Sequence, residues 1–220
     1  MDSANFVDAG RATPLSRTER LMARHMVSAW AAPMFALVTE IDMTAALANR
    51  AKGVTVTDKV LAACVATLRE HPKLNSHYRD DSIVAYDDVN IGLAVASEKG
   101  LTVPVIHGAQ ALSLDEIAAR RRDLVERTRA GRVKISEVTG GTFSVSNLGM
   151  FEISRFTAIL NPPQVAILAV AASIRRQLWN NGDPQWRPVS DFTLTCDHRA
   201  VDGAAGAAFL GALKARLEAA

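Results

Sequence analysis

The chain has 220 residues, of which 49% are hydrophobic and 22% are charged, and this composition is sufficient to bury the core of one compact domain. Its formal net charge of +2 is too small to indicate a nucleic-acid-binding surface, and no apolar run approaches the roughly 18 residues of a membrane span. The two cysteines, Cys64 and Cys196, provide neither a disulfide framework nor a metal-ligand spacing, so we expect buried thiols in a cytoplasmic protein without a metal.

The first quarter of the chain predicts helix, strand and helix in turn. Ser16 and Glu19 form a capping box, in which each side chain satisfies a backbone donor of the first helical turn. This box predicts a helix over residues 16–30. A strand over residues 35–41 and a short helix over residues 44–50 follow.

A longer helix and three strands are predicted next. Thr57 is placed to cap the helix, and His71-Pro72 stops it. The apolar residues of one face of this helix are Val60, Leu61, Cys64, Val65 and Leu68. The three strands, the last two joined by a turn at residues 97–100, cover residues 83–86, 89–96 and 101–106.

The second half begins with a helix and ends with one. Ser113 and Glu116 form another capping box, and Gly131 ends the helix that it opens. The turn Asn180-Asn181-Gly182 precedes the last strand, and a helix over residues 204–217 closes the chain. The predicted strands cover residues 141–145, 156–160, 165–172 and 189–196.

This alternation of strands and helices predicts an α/β fold, a two-layer sandwich of helices packed on a mixed β-sheet. The chain has no internal repeat and no low-complexity linker. We therefore divide it into an N-terminal tail or linker remnant, residues 1–13, and one catalytic domain, residues 14–220.

The segment from Asp197 to Gly203 is the most informative motif. It places His198 between a predicted strand and a predicted helix, where a side chain can reach solvent while its backbone is fixed. A lone histidine in such a turn is more often a structural residue satisfied by its charged neighbours. Here the histidine belongs to a His-x-x-x-Asp-Gly motif, which is shared by acyltransferases of the chloramphenicol acetyltransferase type.

The whole chain resembles the catalytic domain of the dihydrolipoyl acyltransferase component of 2-oxoacid dehydrogenase complexes, in the chloramphenicol acetyltransferase-like superfamily. The resemblance rests on five blocks in the order that this family shows. Apart from the histidine motif, they are Pro14-Leu15-Ser16 with the basic helix after it, residues 89–96 with 100–106, residues 140–151, and Asn161-Pro162-Pro163-Gln164.

The resemblance implies a homotrimer with active sites at the subunit interfaces. It also implies an acyltransferase that moves an acyl group from S-acyl-dihydrolipoamide, on the lipoyl domain of another chain, to a pantetheine thiol. Coenzyme A is the expected acceptor, and a 2-oxoacid dehydrogenase-type component is the expected partner. Neither nucleic acid nor a membrane is expected to take part.

Chemistry assigns a role to one residue, and the family resemblance implies roles for two more. A thiol is mostly protonated at neutral pH, so acyl transfer between thiols needs a general base and acid, which we expect to be His198. From the residues alone, Ser146 would be interpreted as a hydroxyl that caps a turn, whereas the family resemblance makes it the hydroxyl that stabilises the oxyanion. It gives Asp202 a mainly structural role, with further support from Asp197, Arg199, Gly203 (as a residue that permits the turn) and Asn147.

Several other features have structural interpretations. Residues 161–164 are interpreted as a rigid turn between strands, with a possible second role beside the pantetheine channel. Arg120, Arg121 and Arg122 are predicted to form a solvated helix face, although they could meet an acidic partner or a nucleotide phosphate. The remaining histidines, interpreted as surface or capping residues, are His25, His71, His77 and His107.

Two other functions stay open at this stage. The acceptor could be the phosphopantetheine arm of a carrier protein, or the chain could be a non-catalytic trimeric scaffold. Residues 1–13 are too few for the lipoyl and peripheral-subunit-binding domains that precede the core in the family, and no apolar tail follows the last helix. The chain is therefore expected to be either an excised core or an enzyme whose lipoyl domain is on another chain. A free trimer or a different assembly partner is favoured over a larger core.

Overall fold

The computed structural model describes residues 10–48, 52–97, 100–180 and 182–219. Residues 10–13, the described part of the predicted tail, contain neither helix nor strand. None of the described helices is both long enough and apolar enough to cross a membrane.

The five α-helices follow the predicted pattern closely. They are α1 (Arg17–Ala29), α2 (Thr44–Leu47), α3 (Val56–Glu70), α4 (Leu114–Arg129) and α5 (Gly203–Glu218). Both predicted capping boxes are confirmed: the hydroxyls of Ser16 and Ser113 accept hydrogen bonds from the N–H groups of Glu19 and Glu116. Gly131 lies just beyond α4 with a positive φ of 67°, a conformation that glycine adopts without strain.

The strands are β1 (Met34–Asp42), β2 (Ser76–Arg79), β3 (Ser82–Ala85), β4 (Ile91–Leu93), β5 (Val95–Ser97), β6 (Gly100–Thr102), β7 (Val105–Ile106), β8 (Phe143–Asn147), β9 (Ala166–Val170), β10 (Ile174–Asn180) and β11 (Asp183–Asp197). Seven of them form one sheet in the order β1-β11-β9-β8-β4-β7, with β10 paired to the first half of β11. Strand β8 is parallel to β4 and β9, and the other pairs are antiparallel, so the sheet is mixed as predicted.

Helices α3, α4 and α5 form the second layer. Helix α5 packs on β1, and α3 lies in contact with both α5 and α4. The main hydrophobic core, which includes Phe143, Phe192 and Phe209, fills the space between the two layers. The predicted apolar face of α3 is buried in this core, including Cys64.

Two helix predictions need correction. The cap of α3 is Thr55 rather than Thr57, because Thr55 and Asp58 form a capping box and Thr57 already lies inside the helix. The helix predicted over residues 44–50 ends at Leu47, and its last two positions lie outside the described residues.

The strand predictions are wrong in five places. The two strands predicted over residues 89–96 and 101–106 are each interrupted, and residues 98 and 99 of their turn lie outside the described part. Strands β2 and β10 were not predicted. No strand covers residues 156–160, because Leu160 packs on Ile167 across the sheet face that is opposite the helices, where no strand edge is available for pairing.

The arginine run on α4 is not uniformly solvated. The guanidinium of Arg121 donates to both carboxylate oxygens of Asp58, at 2.6 and 2.9 Å, and the side chain of Asp58 is completely buried. Burial alone would raise the pKa of Asp58, but the hydrogen bonds from Arg121 and Thr55 outweigh it and hold this pKa below its ordinary value. Arg121 therefore joins α4 to the N-terminus of α3.

We expect Arg121→Met to lower the free energy of unfolding by about 3 kcal/mol at pH 7, because it leaves a buried carboxylate without its partner. The measurement is urea unfolding, with the exposed Arg122→Met as the control; among the described residues, the Arg122 guanidinium donates to the carbonyl of Gly53. The pKa of Asp58 is lower in the folded state than in the unfolded chain, where it is about 3.9. The stability that the ionised Asp58 contributes is therefore fully present above about pH 3.9, and it is lost as the pH falls further through the folded-state pKa. The free energies of unfolding of the two variants should therefore become similar in acid. Equal losses of stability in the two variants at pH 7 would contradict the role of Arg121 as the partner of Asp58.

Two of the four histidines that were interpreted as surface or capping residues have partners in the interior. His77 is buried: its Nε2 donates to the carbonyl of Gly141 at 2.9 Å, and its Nδ1 accepts from the hydroxyl of Tyr86. His25 of α1 is hydrogen-bonded through Nε2 to Asn161 Oδ1 at 2.8 Å. His71 caps the end of α3 as predicted, and His107 is hydrogen-bonded to the carbonyl of Ser136.

Residues 161–164 were predicted to form a rigid turn between two strands. They lead into β9, but the segment directly before them, residues 156–160, is not a strand. The side chains of this turn reach the centre of the sheet. The Nδ2 of Asn161 lies 3.5 Å from Ser144 Oγ, and this hydroxyl donates to Gln164 Oε1 at 2.7 Å. Because Asn161 is also hydrogen-bonded to His25, this series of hydrogen-bonded side chains attaches α1 to the body of the domain.

Candidate active site

The loop that carries His198 is held by an ion pair between its neighbours. Asp197, the last residue of β11, is buried, and its carboxylate accepts hydrogen bonds from the backbone N–H of Arg199 at 3.0 Å and from the guanidinium at 2.7 and 2.9 Å. The guanidinium also lies 4.0 Å above the ring of Tyr78 in β2. Asp197 and Arg199, both predicted as supporting residues, thus pair with each other, and this ion pair fixes the backbone on both sides of His198.

His198 itself points outward from this fixed loop. Its N–H donates to the carbonyl of Pro33 at 3.0 Å, and its side chain is exposed. The imidazole contacts the ring of Phe35, with centroids 4.8 Å apart. Within the described residues, neither nitrogen of the imidazole has a hydrogen-bond partner, so both are available to a substrate.

Asp202 opens α5 rather than contacting the imidazole. Its Oδ1 accepts a hydrogen bond from the N–H of Ala205 at 2.8 Å, which makes it the N-cap. This bond holds the pKa of Asp202 below its ordinary value, with a smaller effect from Lys73 at 3.9 Å. The carboxylate therefore supports the end of the histidine loop and is ionised at neutral pH.

The expectation that Gly203 is needed for the turn is not met. Gly203 is the first residue of α5, and its φ is not positive. A Cβ built at this position would contact no other atom within 4 Å. An alanine would fit here, so Gly203 has no special conformational role.

Ser146 lies near the end of β8, where the strand leaves the sheet. Its side chain is half-buried and lines a cavity of about 230 Å³. The cavity walls are mainly apolar, with Leu93, Leu101 and Phe151 among them, and Arg121 and Arg129 contribute cationic groups. A hydroxyl in such an environment can donate a hydrogen bond to a ligand oxygen with little competition from water.

Asn147 organises the turn that follows Ser146. Its Oδ1 accepts from the N–H of Gly149 at 2.8 Å, and its Nδ2 donates to the hydroxyl of Thr57 at 3.1 Å. Asn147 thus joins the end of β8 to helix α3, which agrees with the supporting role predicted for it. Thr57, which was predicted as a helix cap, instead holds this turn and lines the same cavity.

Ser146 and His198 lie at opposite ends of the sheet. Ser146 pairs with Ala169 of β9, and Ala169 pairs with Thr193 of β11. His198 is five residues beyond Thr193, or about 16 Å along the strand, and two further strand spacings of about 4.8 Å separate β8 from β11. Serine and histidine side chains cannot bridge this distance, so one chain alone does not bring the two together.

Two residues beside the site were missed by the sequence analysis, Phe35 and Tyr78. Phe35 depends on the pairing of β1 with β11, and Tyr78 depends on the hydrogen bond from its N–H to the carbonyl of Pro163 in the turn before β9, so no local motif marks either residue. The two cysteines are free and buried as predicted, and burial raises the pKa of Cys196 to about 12, which excludes a thiolate nucleophile there. The described residues contain no group of three or more His, Cys, Asp or Glu side chains that could hold a metal ion.

Comparisons of the sequence with a family model and with curated proteins identify the same family. Residues 8–220 match the family model for the catalytic domain of 2-oxoacid dehydrogenase acyltransferases. The chain is 43% identical over 164 residues to the dihydrolipoyllysine-residue acetyltransferase component of the acetoin cleaving system of Bacillus subtilis. This alignment covers 74% of the chain and 41% of the relative, so the chain spans about two fifths of the length of that protein.

Solved structures extend the likeness to the whole described fold. The structure of dihydrolipoamide acetyltransferase from Azotobacter vinelandii has a TM-score of 0.92 and 29% identity, and the match covers 99% of this chain and 96% of that one. Chloramphenicol acetyltransferase matches with a TM-score of 0.57 and 15% identity, over 89% of this chain and 92% of that one. The predicted chloramphenicol acetyltransferase-like sandwich is therefore confirmed.

Proposed function

Because the chain belongs to the 2-oxoacid dehydrogenase acyltransferase family, as its catalytic domain, we propose that it transfers an acyl group from S-acyl-dihydrolipoamide to the thiol of coenzyme A. The observation that carries this proposal is the exposed imidazole of His198, with both nitrogens unpaired, on a loop fixed by the Asp197–Arg199 ion pair. A general base needs this combination of an accessible nitrogen and a rigid backbone.

In the proposed mechanism, His198 removes the proton from the thiol of coenzyme A. The thiolate attacks the carbonyl carbon of the acyl-dihydrolipoyl thioester, and the carbonyl oxygen becomes a tetrahedral oxyanion that accepts a hydrogen bond from the hydroxyl of Ser146. The intermediate collapses, the bond from carbon to the dihydrolipoyl sulfur breaks, and His198 returns the proton to that sulfur. The products are acyl-coenzyme A and dihydrolipoamide.

The Azotobacter vinelandii enzyme supports this choice of residues. A serine, a histidine and an asparagine were studied there for their role in the catalytic mechanism. The serine and the histidine are 52 positions apart, as Ser146 and His198 are, and the asparagine follows the histidine by four positions, as Asp202 follows His198.

The distance between Ser146 and His198 within one chain leads us to propose a homotrimer. Each active site combines Ser146 of one copy with His198 of its neighbour, and the apolar cavity beside Ser146 receives a substrate arm. The Bacillus subtilis relative is a component of an acetoin cleaving system. We propose a 2-oxoacid dehydrogenase-type component and a lipoyl domain on another chain as partners, in a reducing compartment such as the cytoplasm.

The test is an acyl-transfer assay with an S-acyl-dihydrolipoyl donor and two acceptors in parallel, coenzyme A and a carrier protein bearing phosphopantetheine. We expect acyl-coenzyme A to form and the carrier protein to remain largely unacylated. Transfer only to the carrier protein would overturn the choice of acceptor. Absence of transfer to either acceptor would overturn the enzymatic function and leave the trimeric scaffold as the better account.

A further inference from the structure

We infer that Phe35 is a positioning residue that holds the imidazole of His198 in one orientation for proton transfer. The inference rests on the proposed function and adds a residue to it. Phe35 does not touch the reacting atoms, and it acts only through its contact with the His198 ring, at a centroid distance of 4.8 Å and an interplanar angle of 51°.

The strand register produces this contact. Phe35 lies directly opposite Cys196 in the antiparallel pair of β1 and β11. His198 is two positions beyond Cys196, so it leaves the sheet on the same face and is the diagonal neighbour of Phe35. Diagonal neighbours are within reach of each other when one of them is aromatic.

Phe35 provides a fixed surface for the imidazole. Its side chain packs against the main hydrophobic core, and its strand is paired with β11 over all nine residues. Replacement of the ring by a smaller side chain would remove the surface against which the imidazole packs, and the imidazole would gain room to rotate.

The described carboxylates near His198 are engaged elsewhere. Asp197 accepts the hydrogen bonds of Arg199, and Asp202 caps α5. In a Ser-His-Asp triad, a carboxylate bonded to the ring selects the orientation of the imidazole. Here no described residue makes such a bond, and the ring of Phe35 packs directly against the imidazole.

We expect Phe35→Leu, which keeps an apolar side chain but removes the ring, to lower kcat about 10-fold with little change in KM, because misplacement of a catalytic group slows the chemical step. Phe35→Tyr keeps the ring and should stay within about 3-fold of the wild type. Val38→Ala, at an exposed position of the same strand, is the matched control and should leave kcat unchanged.

A double-mutant cycle separates positioning from a general structural effect. In the His198→Ala background, Phe35→Leu should cause no further loss of the residual activity, because the group that it positions is gone. An equal loss in both backgrounds, or a loss in KM alone, would overturn the inference. If His198→Ala itself retained full activity, the proposed function would fail instead, so the two failures are distinguishable.

Discussion

His198→Ala should lower the turnover of acyl transfer by a factor of about 10²–10⁴, the range expected for loss of a general acid and base. The physical reason is the pKa of the acceptor thiol, near 8.5, which leaves it mostly protonated at neutral pH without a base. The fold should survive the change, because the imidazole makes no hydrogen bond with the described residues and the loop is held by Asp197 and Arg199. The measurement is kcat for transfer to coenzyme A.

His107→Ala is the matched control for this variant. His107 is also exposed, and its ring nitrogen is hydrogen-bonded to the carbonyl of Ser136, away from both halves of the site. It should retain the wild-type kcat. Near-normal turnover of the His198 variant would contradict the mechanism.

Ser146→Ala should lower kcat by about 10²–10³, the loss measured when one donor to an oxyanion is removed. The hydrogen bond strengthens only as negative charge develops on the carbonyl oxygen, so KM for coenzyme A should change little. The replacement removes one hydroxyl at a half-buried strand end, for which no hydrogen bond within the described structure has to be broken. Steady-state kinetics with varied coenzyme A separates kcat from KM.

The control for Ser146 is Ser82→Ala. Ser82 lies in an exposed hairpin strand, and within the described residues its hydroxyl donates to the nearby carbonyl of Asp80. We expect its kinetics to match the wild type. A change in KM alone would show that the Ser146 hydroxyl binds the substrate as strongly as it binds the transition state. That result would argue against the oxyanion role.

The helices were predicted well because their signals are local. The two residues of each capping box, at Ser16 and at Ser113, are three positions apart and bond within their own helix. The apolar residues of α3 recur at helical spacing within nine positions, so the face that they form is also visible locally. At the start of α3, two threonines stand two positions apart, and only the position of Asp58, three residues after Thr55, decides which of them is the cap.

The interior partners of polar residues could not be predicted from the sequence. The Arg121 guanidinium appeared to belong to a solvated face, yet it meets Asp58 because α4 packs on α3. His77 is hydrogen-bonded to the carbonyl of Gly141, which lies 64 positions further along the chain, so this contact also depends on how distant elements pack. Such pairs depend on the arrangement of elements, which one sequence does not specify.

In the candidate site, too, the features within one short segment could be predicted, and the contacts between distant elements could not. His198, its ion-paired neighbours and Asp202 lie in one short segment, so their local arrangement agrees with the motif. The contact of Phe35 with His198 requires the register of β1 on β11. The placement of Ser146 and His198 at opposite ends of the sheet requires the order of three strands, and it turns an expectation of a shared site into a geometric necessity for the proposed mechanism.

The central claim, that one active site takes Ser146 and His198 from different copies, is tested most directly by mixing two inactive variants. His198→Ala and Ser146→Ala subunits are co-refolded in equal amounts, and acyl transfer to coenzyme A is measured. In a cyclic trimer, each interface has an intact serine and an intact histidine in about one quarter of random pairings, so we predict about a quarter of wild-type activity. Activity no greater than that of the separate variants would contradict the shared site.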